Sequence, residues 1–77
     1  MEKVIGRLCY NDENARYGVV ARDEWIHTGF CCGETMEVYL EGEWIQSRME
    51  MEWKDIWYLI DTPYRGNLEN IPVRISC

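Results

Sequence analysis

The chain lacks most of what announces a function. It has no excess of basic residues: eight Lys plus Arg face fourteen Asp plus Glu, a formal charge of −6 over 77 residues. Such a surface repels a phosphate backbone, so nonspecific nucleic-acid binding is not expected, although a local basic patch still accepts a nucleotide. No apolar run approaches the roughly 20 residues of a membrane span, and the N-terminus carries no apolar signal-peptide core. A cytoplasmic protein without membrane attachment is expected. There is one His, and the sequence holds no C-x-x-C knuckle, no Gly-rich phosphate loop and no nucleophile elbow. Without these spacings neither a metal centre, a nucleotide hydrolase nor a serine-type nucleophile is indicated, and a non-enzymatic protein with no cofactor is expected. Internal repeats and low-complexity tracts are missing too. Helical periodicity sustained over about ten residues is absent as well.

What the chain does have is aromatic residues and alternation. Four Trp, five Tyr and one Phe stand in 77 residues, enough length for one domain and no more. A domain this small buries only roughly 60% of its unfolded surface, so large aromatic side chains must supply much of its core.

The organising stretch is residues 36–60, which holds every Trp except Trp25. Successive side chains alternate across a strand, so Met36, Val38 and Leu40 share one face while Glu37, Tyr39 and Glu41 share the other. In the next run Ile45, Ser47, Met49, Met51 and Trp53 fall on one face, and Trp44, Gln46, Arg48, Glu50 and Glu52 on the other. Glu41-Gly42-Glu43 supplies a glycine for the first turn and Lys54-Asp55 a polar pair for the second. Residues 56–60 are almost wholly apolar, which suits a strand covered on both faces. Two successive hairpins result.

Before the meander, residues 4–10 read as a strand with a bend near Ile5 and Gly6. Asn11-Asp12-Glu13-Asn14 is a turn cluster leading to a second strand at 17–20. Residues 21–25 form a polar connection that admits a helical turn, and 26–32 a short strand by the alternation of Ile26, Thr28 and Phe30. After it, Pro63 marks a loop, residues 68–71 suit one tight helical turn, and 72–76 close as an edge or terminal strand that tolerates Pro72 at its start. The fold expected is all-β: a small SH3-like barrel or a strongly bent antiparallel sheet of five to six short strands, with at most one helical turn before the last. In the reducing cytosol Cys9, Cys31, Cys32 and Cys77 are expected as free thiols. On a strand, one of Cys31 and Cys32 faces the core and the other faces solvent.

Several of these residues together resemble a known family. Gly6-Arg7-Leu8-Cys9-Tyr10-Asn11, Arg16-Tyr17, Gly33, Glu37-Val38, Trp44, Arg48, Glu50, Trp57-Tyr58-Leu59 and Val73-Arg74-Ile75 look like the domain-of-unknown-function family five-three-four-eight. Its members are short stand-alone proteins of Gram-positive bacteria, their phages and mobile elements. The resemblance runs over nearly the whole chain and departs at residues 21–32. It implies a compact β domain and a mobile-element origin. It carries no assigned activity and therefore transfers no functional residue.

Three constellations carry possible chemistry. Arg48 and Glu50 share a strand face, with Glu37 expected opposite and Trp44 and Trp57 flanking. Such a set grips a carboxylate or phosphate bidentately, and its plainer reading is a solvated ion pair worth about 0.2–1 kcal/mol. His27 with Cys31 and Cys32 has ligand types for zinc and atoms for a Cys–His nucleophile pair, but neither the knuckle spacing nor an orienting third group. Among the aromatics, Trp53 is expected in the core and Trp44 at least partly exposed beside Arg48, where an aromatic next to Arg makes a peptide- or base-stacking surface.

The function expected is a protein- or peptide-binding, or self-associating, accessory module. Its surface centres on Trp44, Arg48, Glu50 and Trp57, with Tyr39 and Arg74 as rim, and its partner is a protein, a peptide or a second copy as homodimer. A small-ligand or nucleotide-sequestering protein is the alternative, and it requires two or more of Arg7, Arg16, Arg48 and Arg74 to converge on an aromatic. An acidic inhibitor of a basic host protein is the third reading. Against it, a net charge of −6 falls within the ordinary solubility range of about 2–8.

Overall fold

Two-residue turns shape the local structure. In the computed structural model, which describes residues 2–76, the strands are β1 (Lys3–Asn11), β2 (Arg16–Ala21), β3 (Glu24–His27), β4 (Thr35–Leu40), β5 (Glu43–Glu52), β6 (Ile56–Leu59) and β7 (Pro72–Ser76). Arg22 and Asp23 close β2–β3 with φ of 54° and 64°, and Glu41 and Gly42 close β4–β5 with 51° and 83°. Two consecutive left-handed residues give the turn whose twist matches paired strands. The helical turn expected at 21–25 is thus a hairpin turn instead. β3 ends at His27, short of the strand expected through 32, although Phe30 still reaches the core.

Cys31 and Cys32 accordingly lie in a loop, outside any strand alternation, and both are exposed where one was expected inside. Cys9, on β1, is half-buried, and all three are free thiols. Cys77 lies outside the described residues.

All pairings are antiparallel, and the strand order is β3-β2-β1-β7-β4-β5-β6. There are seven strands, more than the five to six expected, and the third runs over Glu24–His27 instead of the expected 26–32. Two long strands serve two neighbours each. Arg7–Asn11 of β1 pairs with β2 while Lys3–Arg7 pairs with β7. On β5, residues 43–48 pair with β4 and residues 49–52 with β6. Where a bend was expected near Gly6, β1 runs on as one strand, and the glycine has a steric basis instead: a Cβ there would lie 2.6 Å from Val19 Cγ1 and 2.7 Å from Val20 O. Only glycine lets β2 cross so close.

The last strand is not at an edge. β7 lies between β1 and β4, and Pro72 is tolerated because it is the first residue of the strand, opposite Arg7, while the ladder to β4 begins only at Val73. Ahead of it, residues 68–71 form no helical turn. Their backbone bonds β1 instead, Asn70 N–H donating to Leu8 O at 2.8 Å and Leu8 N–H to Ile71 O at 3.0 Å. Asn70 adopts φ of 64°, which an isolated helical turn does not use.

Core side chains come from one face of the sheet and from the loops that hold Phe30 and Leu68. Leu8, Val19, Phe30, Val38, Met49, Leu59, Leu68 and Val73 are fully buried. Tyr17 and Val19 of β2 share this core with Trp57 and Leu59 of β6, strands at opposite ends of the order, so the sheet curls around a single interior. It does not close, since among the described residues no ladder joins β3 to β6. β6 is an edge strand, and only Trp57 and Leu59 on one face are buried, not both faces as expected. Its outer edge is capped by the following loop, through Leu59 N–H to Tyr64 O at 3.1 Å and Gly66 N–H to Trp57 O at 2.8 Å, which removes a free pairing edge.

Candidate functional site

The face of the sheet turned away from the core gathers most of the residues singled out in the sequence. Register does this. Glu37 on β4 stands opposite Arg74 on β7, and Tyr39 on β4 opposite Trp44 on β5. Directly opposite side chains point to one side of the sheet, so the four meet in a patch across three strands.

Arg74 is the hinge of the patch. Its Nε and Nη2 donate to the two carboxylate oxygens of Glu37 at 3.0 and 2.9 Å, the planar fork matching the carboxylate. Lys3 Nζ adds a third bond to Glu37 at 2.6 Å. The guanidinium carbon also lies 4.7 Å from the centre of the Trp44 ring, on its face. Trp44 meets Tyr39 edge-on at 5.2 Å and 67°, an arrangement worth about 0.5–1.5 kcal/mol beyond buried area. Hydrogen bonds from Arg74, then from Lys3, hold the Glu37 carboxyl down to about 2. Trp44 is half-buried and Tyr39 exposed. The result is a flat aromatic pair locked in place by a charged clamp.

Arg48 and Glu50 lie farther along the same face of β5, joined at 2.8 Å along one strand. Glu37 is not their partner. Its register neighbour on β5 is Gln46, and its charge is taken by β7, a neighbour the sequence did not reveal. Arg65 and Glu52 form a further pair beyond them.

Trp57 does not join this face. Its register partner is Met51, on the core side, and it is 8% exposed. Trp53 shows the reverse error: expected in the core, it is 83% exposed. Both follow from loop length. Glu52 pairs with Ile56, so Trp53, Lys54 and Asp55 make a three-residue loop. Trp53 is its first residue and drops out of the β5 alternation.

The four arginines proposed to converge on a ligand are dispersed. Arg74 lies on Trp44, Arg48 on Glu50, Arg16 donates to Cys31 Sγ at 3.1 Å, and Arg7 stands opposite Val20 and Pro72.

His27, the last residue of β3, is tied to the β3–β4 loop. Gly29 N–H donates to Nδ1 at 3.2 Å, leaving Nε2 to face Glu34 Oε2 at 3.0 Å. The ring stacks on Phe30 at 4.2 Å. Glu34 also accepts from Cys31 N–H at 2.7 Å. Burial pushes the Glu34 carboxyl up, but the Cys31 N–H and His27 outweigh it and hold it below the ordinary carboxylate range. The imidazole is therefore aimed at Glu34 and not at a thiol. A cleft of about 290 Å³ lies beside it, with Lys3, Arg74 and Glu37 among its lining residues and His27 and Glu34 opposite. Nothing in the sequence signalled that Lys3 belongs here, since it is 34 residues from Glu37.

The family model "Domain of unknown function (DUF5348)" matches residues 6–75. Among solved structures, the chain is similar to a protein from Ruminococcus gnavus determined by crystallography. The two share 30% identity with a TM-score of 0.77, over 94% of this chain and 100% of that one. No curated protein matches.

Proposed function

The chain belongs to the DUF5348 family, and we propose that it is a non-enzymatic interaction module that docks a second copy of itself through the outer face around Tyr39, Trp44 and Arg74. The observation that carries this reading is the charge balance of that face. Lys3, Arg48, Arg65 and Arg74 pair there with only Glu37, Glu50 and Glu52, and Arg74 also lies on the Trp44 ring. The remaining eleven of the fourteen carboxylates outnumber the remaining four cations. Two copies with charge −6 repel each other, and approach at lower cost through a face that is locally near neutral.

A two-fold contact is self-complementary, each patch facing its own image. A face carrying both a cation–carboxylate clamp and flat aromatic rings meets that condition. Trp, Tyr and Arg are also the residue types that dominate binding energy when packed at an interface centre. Glu37 keeps Arg74 and Trp44 in one geometry before contact, which reduces the ordering cost of association.

Sedimentation equilibrium over a concentration series tests this. The wild type dimerises, and Trp44→Ala weakens the dimer by roughly 2 kcal/mol, about 30-fold. Trp25→Ala, away from the patch, leaves it unchanged. A dimer indifferent to Trp44→Ala, or a strict monomer at all concentrations, refutes the reading.

A further inference from the structure

The core side of the molecule has a second opening, aromatic like the face just described but without its charge clamp. Where the curled sheet fails to close, the β1–β2 turn comes up against the β5–β6 hairpin. Between them lies a cleft of about 440 Å³ whose lining includes Tyr10, Ala15, Tyr17, Met51, Asp55 and Trp57. We infer that this cleft is a binding site for an extended, proline-containing peptide segment that carries Lys or Arg.

Three observations carry the inference. The first is the wall. Three aromatic rings and a methionine converge at one opening, and Tyr10 remains 39% exposed although it packs edge-on against Tyr17 at 5.3 Å. The wall is rigid before any ligand arrives. Tyr17 accepts from Leu68 N–H at 3.2 Å and donates to Gly66 O at 3.4 Å, so both ends of its hydroxyl are committed to the loop behind it. Glu69 accepts from the Tyr10 N–H and ties β1 to the same loop. Preformed aromatic surface of this kind binds with little ordering cost.

The second observation concerns what the ligand's backbone can do. The edge of β6 beside the cleft is already occupied, Gly66 N–H bonding Trp57 O and Leu59 N–H bonding Tyr64 O. A peptide therefore cannot add itself as a strand there, and binding must rest on side-chain contacts. A polyproline II segment is suited to that, because it has no internal hydrogen bonds to lose, enters nearly ordered, and lays apolar faces into aromatic grooves.

The third is charge. Asp55 lines the cleft, and Asp12 and Glu13 stand exposed in the turn that contributes Ala15. Among the described residues none of these three carboxylates has a salt-bridge partner. The two turns together carry three carboxylates against Lys54 as the one cation, so the rim is acidic on balance, chiefly on the β1–β2 side. That rim selects a cationic peptide and rejects a phosphate backbone. The site and its partner are separate from the dimer face, so either proposal stands or falls without the other.

The test is a titration of the intact protein followed by amide and indole NMR shifts. Three synthetic peptides of about eight residues serve as probes: a Pro/Leu peptide with two Arg, the same with two Glu, and a Gly/Ser peptide with two Arg. The Pro/Leu peptide with Arg is expected to shift Tyr10, Asp55 and the Trp57 indole. Tyr10→Ala, at a partly exposed position, weakens it by about 10-fold or more. Asp55→Asn, which keeps the left-handed turn, weakens it by about 3-fold to 10-fold and lowers its salt dependence. Trp44→Ala leaves it unchanged. Equal binding of the Gly/Ser peptide, equal binding of the Glu peptide, indifference to Tyr10→Ala, or no shifts with the Pro/Leu-Arg peptide overturns the inference.

Discussion

Two tryptophans four residues apart, Trp53 and Trp57, should respond to truncation in opposite ways. Trp57 is 8% exposed and belongs to the core with Met49 and Leu59, whereas Trp53 is 83% exposed at the tip of a hairpin loop. Removing a buried Trp side chain costs about 3–5 kcal/mol from lost transfer energy and the cavity left behind. A chain of 77 residues has a total stability of roughly 4–12 kcal/mol at the usual 0.05–0.15 per residue. Trp57→Ala therefore removes a large part of the whole, while Trp53→Ala changes it by no more than about 0.5 kcal/mol. In a domain of this size each kcal/mol moves the melting temperature by about 4–8 °C, so Trp57→Ala lowers Tm by at least about 12 °C and Trp53→Ala by less than about 4 °C. Differential scanning calorimetry and urea denaturation measure both. Comparable losses for the two variants, or less than about 1 kcal/mol for Trp57→Ala, would refute the three-residue loop and the face assignment that follows from it.

Two more outcomes follow from the packing and the charge clamp. A Cβ at Gly18 would sit 2.1 Å from His27 O and 2.9 Å from Thr28 C, both backbone atoms. Gly18→Ala must push β3 off β2, costing about 3 kcal/mol and raising amide exchange in the β3 strand. Gly33→Ala meets no atom within 4 Å and pays only for its φ of 89°, about 1–2 kcal/mol; equal costs for the two would show that the close crossing is not real. Glu37 has its folded pKa held at about 2, below the ordinary 4.5. Its bonds to Arg74 and Lys3 thus stabilise the fold above about 4.5 and lose that contribution as the pH falls toward about 2. Urea midpoints measured from pH 5 to pH 2 should fall less steeply for Glu37→Gln than for wild type, and parallel slopes would exclude the clamp.

Much of the local architecture was legible because a strand's side-chain period is two. The split of Met36 and Val38 from Glu37 and Tyr39, and of Ser47 and Met49 from Trp44 and Arg48, stands in the structure as read from the letters. So does the hairpin at Glu41-Gly42. Of the candidate site, Tyr39, Trp44, Arg48, Glu50 and Arg74 are on one face, whereas Trp57 is not. The error at Trp57 and its mirror at Trp53 share one cause: alternation cannot say where a strand stops. A loop one residue longer than a two-residue turn released Trp53 and left Trp57 on the core side.

The partners of Glu37 were a different kind of problem. Periodicity assigns a residue to a face but says nothing about which strand lies alongside. The sequence by itself determined an all-β chain, its hairpins and the facing of β4 and β5, since these depend on neighbours within a few residues. Only the tertiary structure decided that β7 enters between β1 and β4, that Arg74 and Lys3 reach Glu37, and that an aromatic cleft opens where the sheet stays unclosed. Those features depend on ladders between residues dozens of positions apart, selected by burial of the whole core and carried by no local pattern.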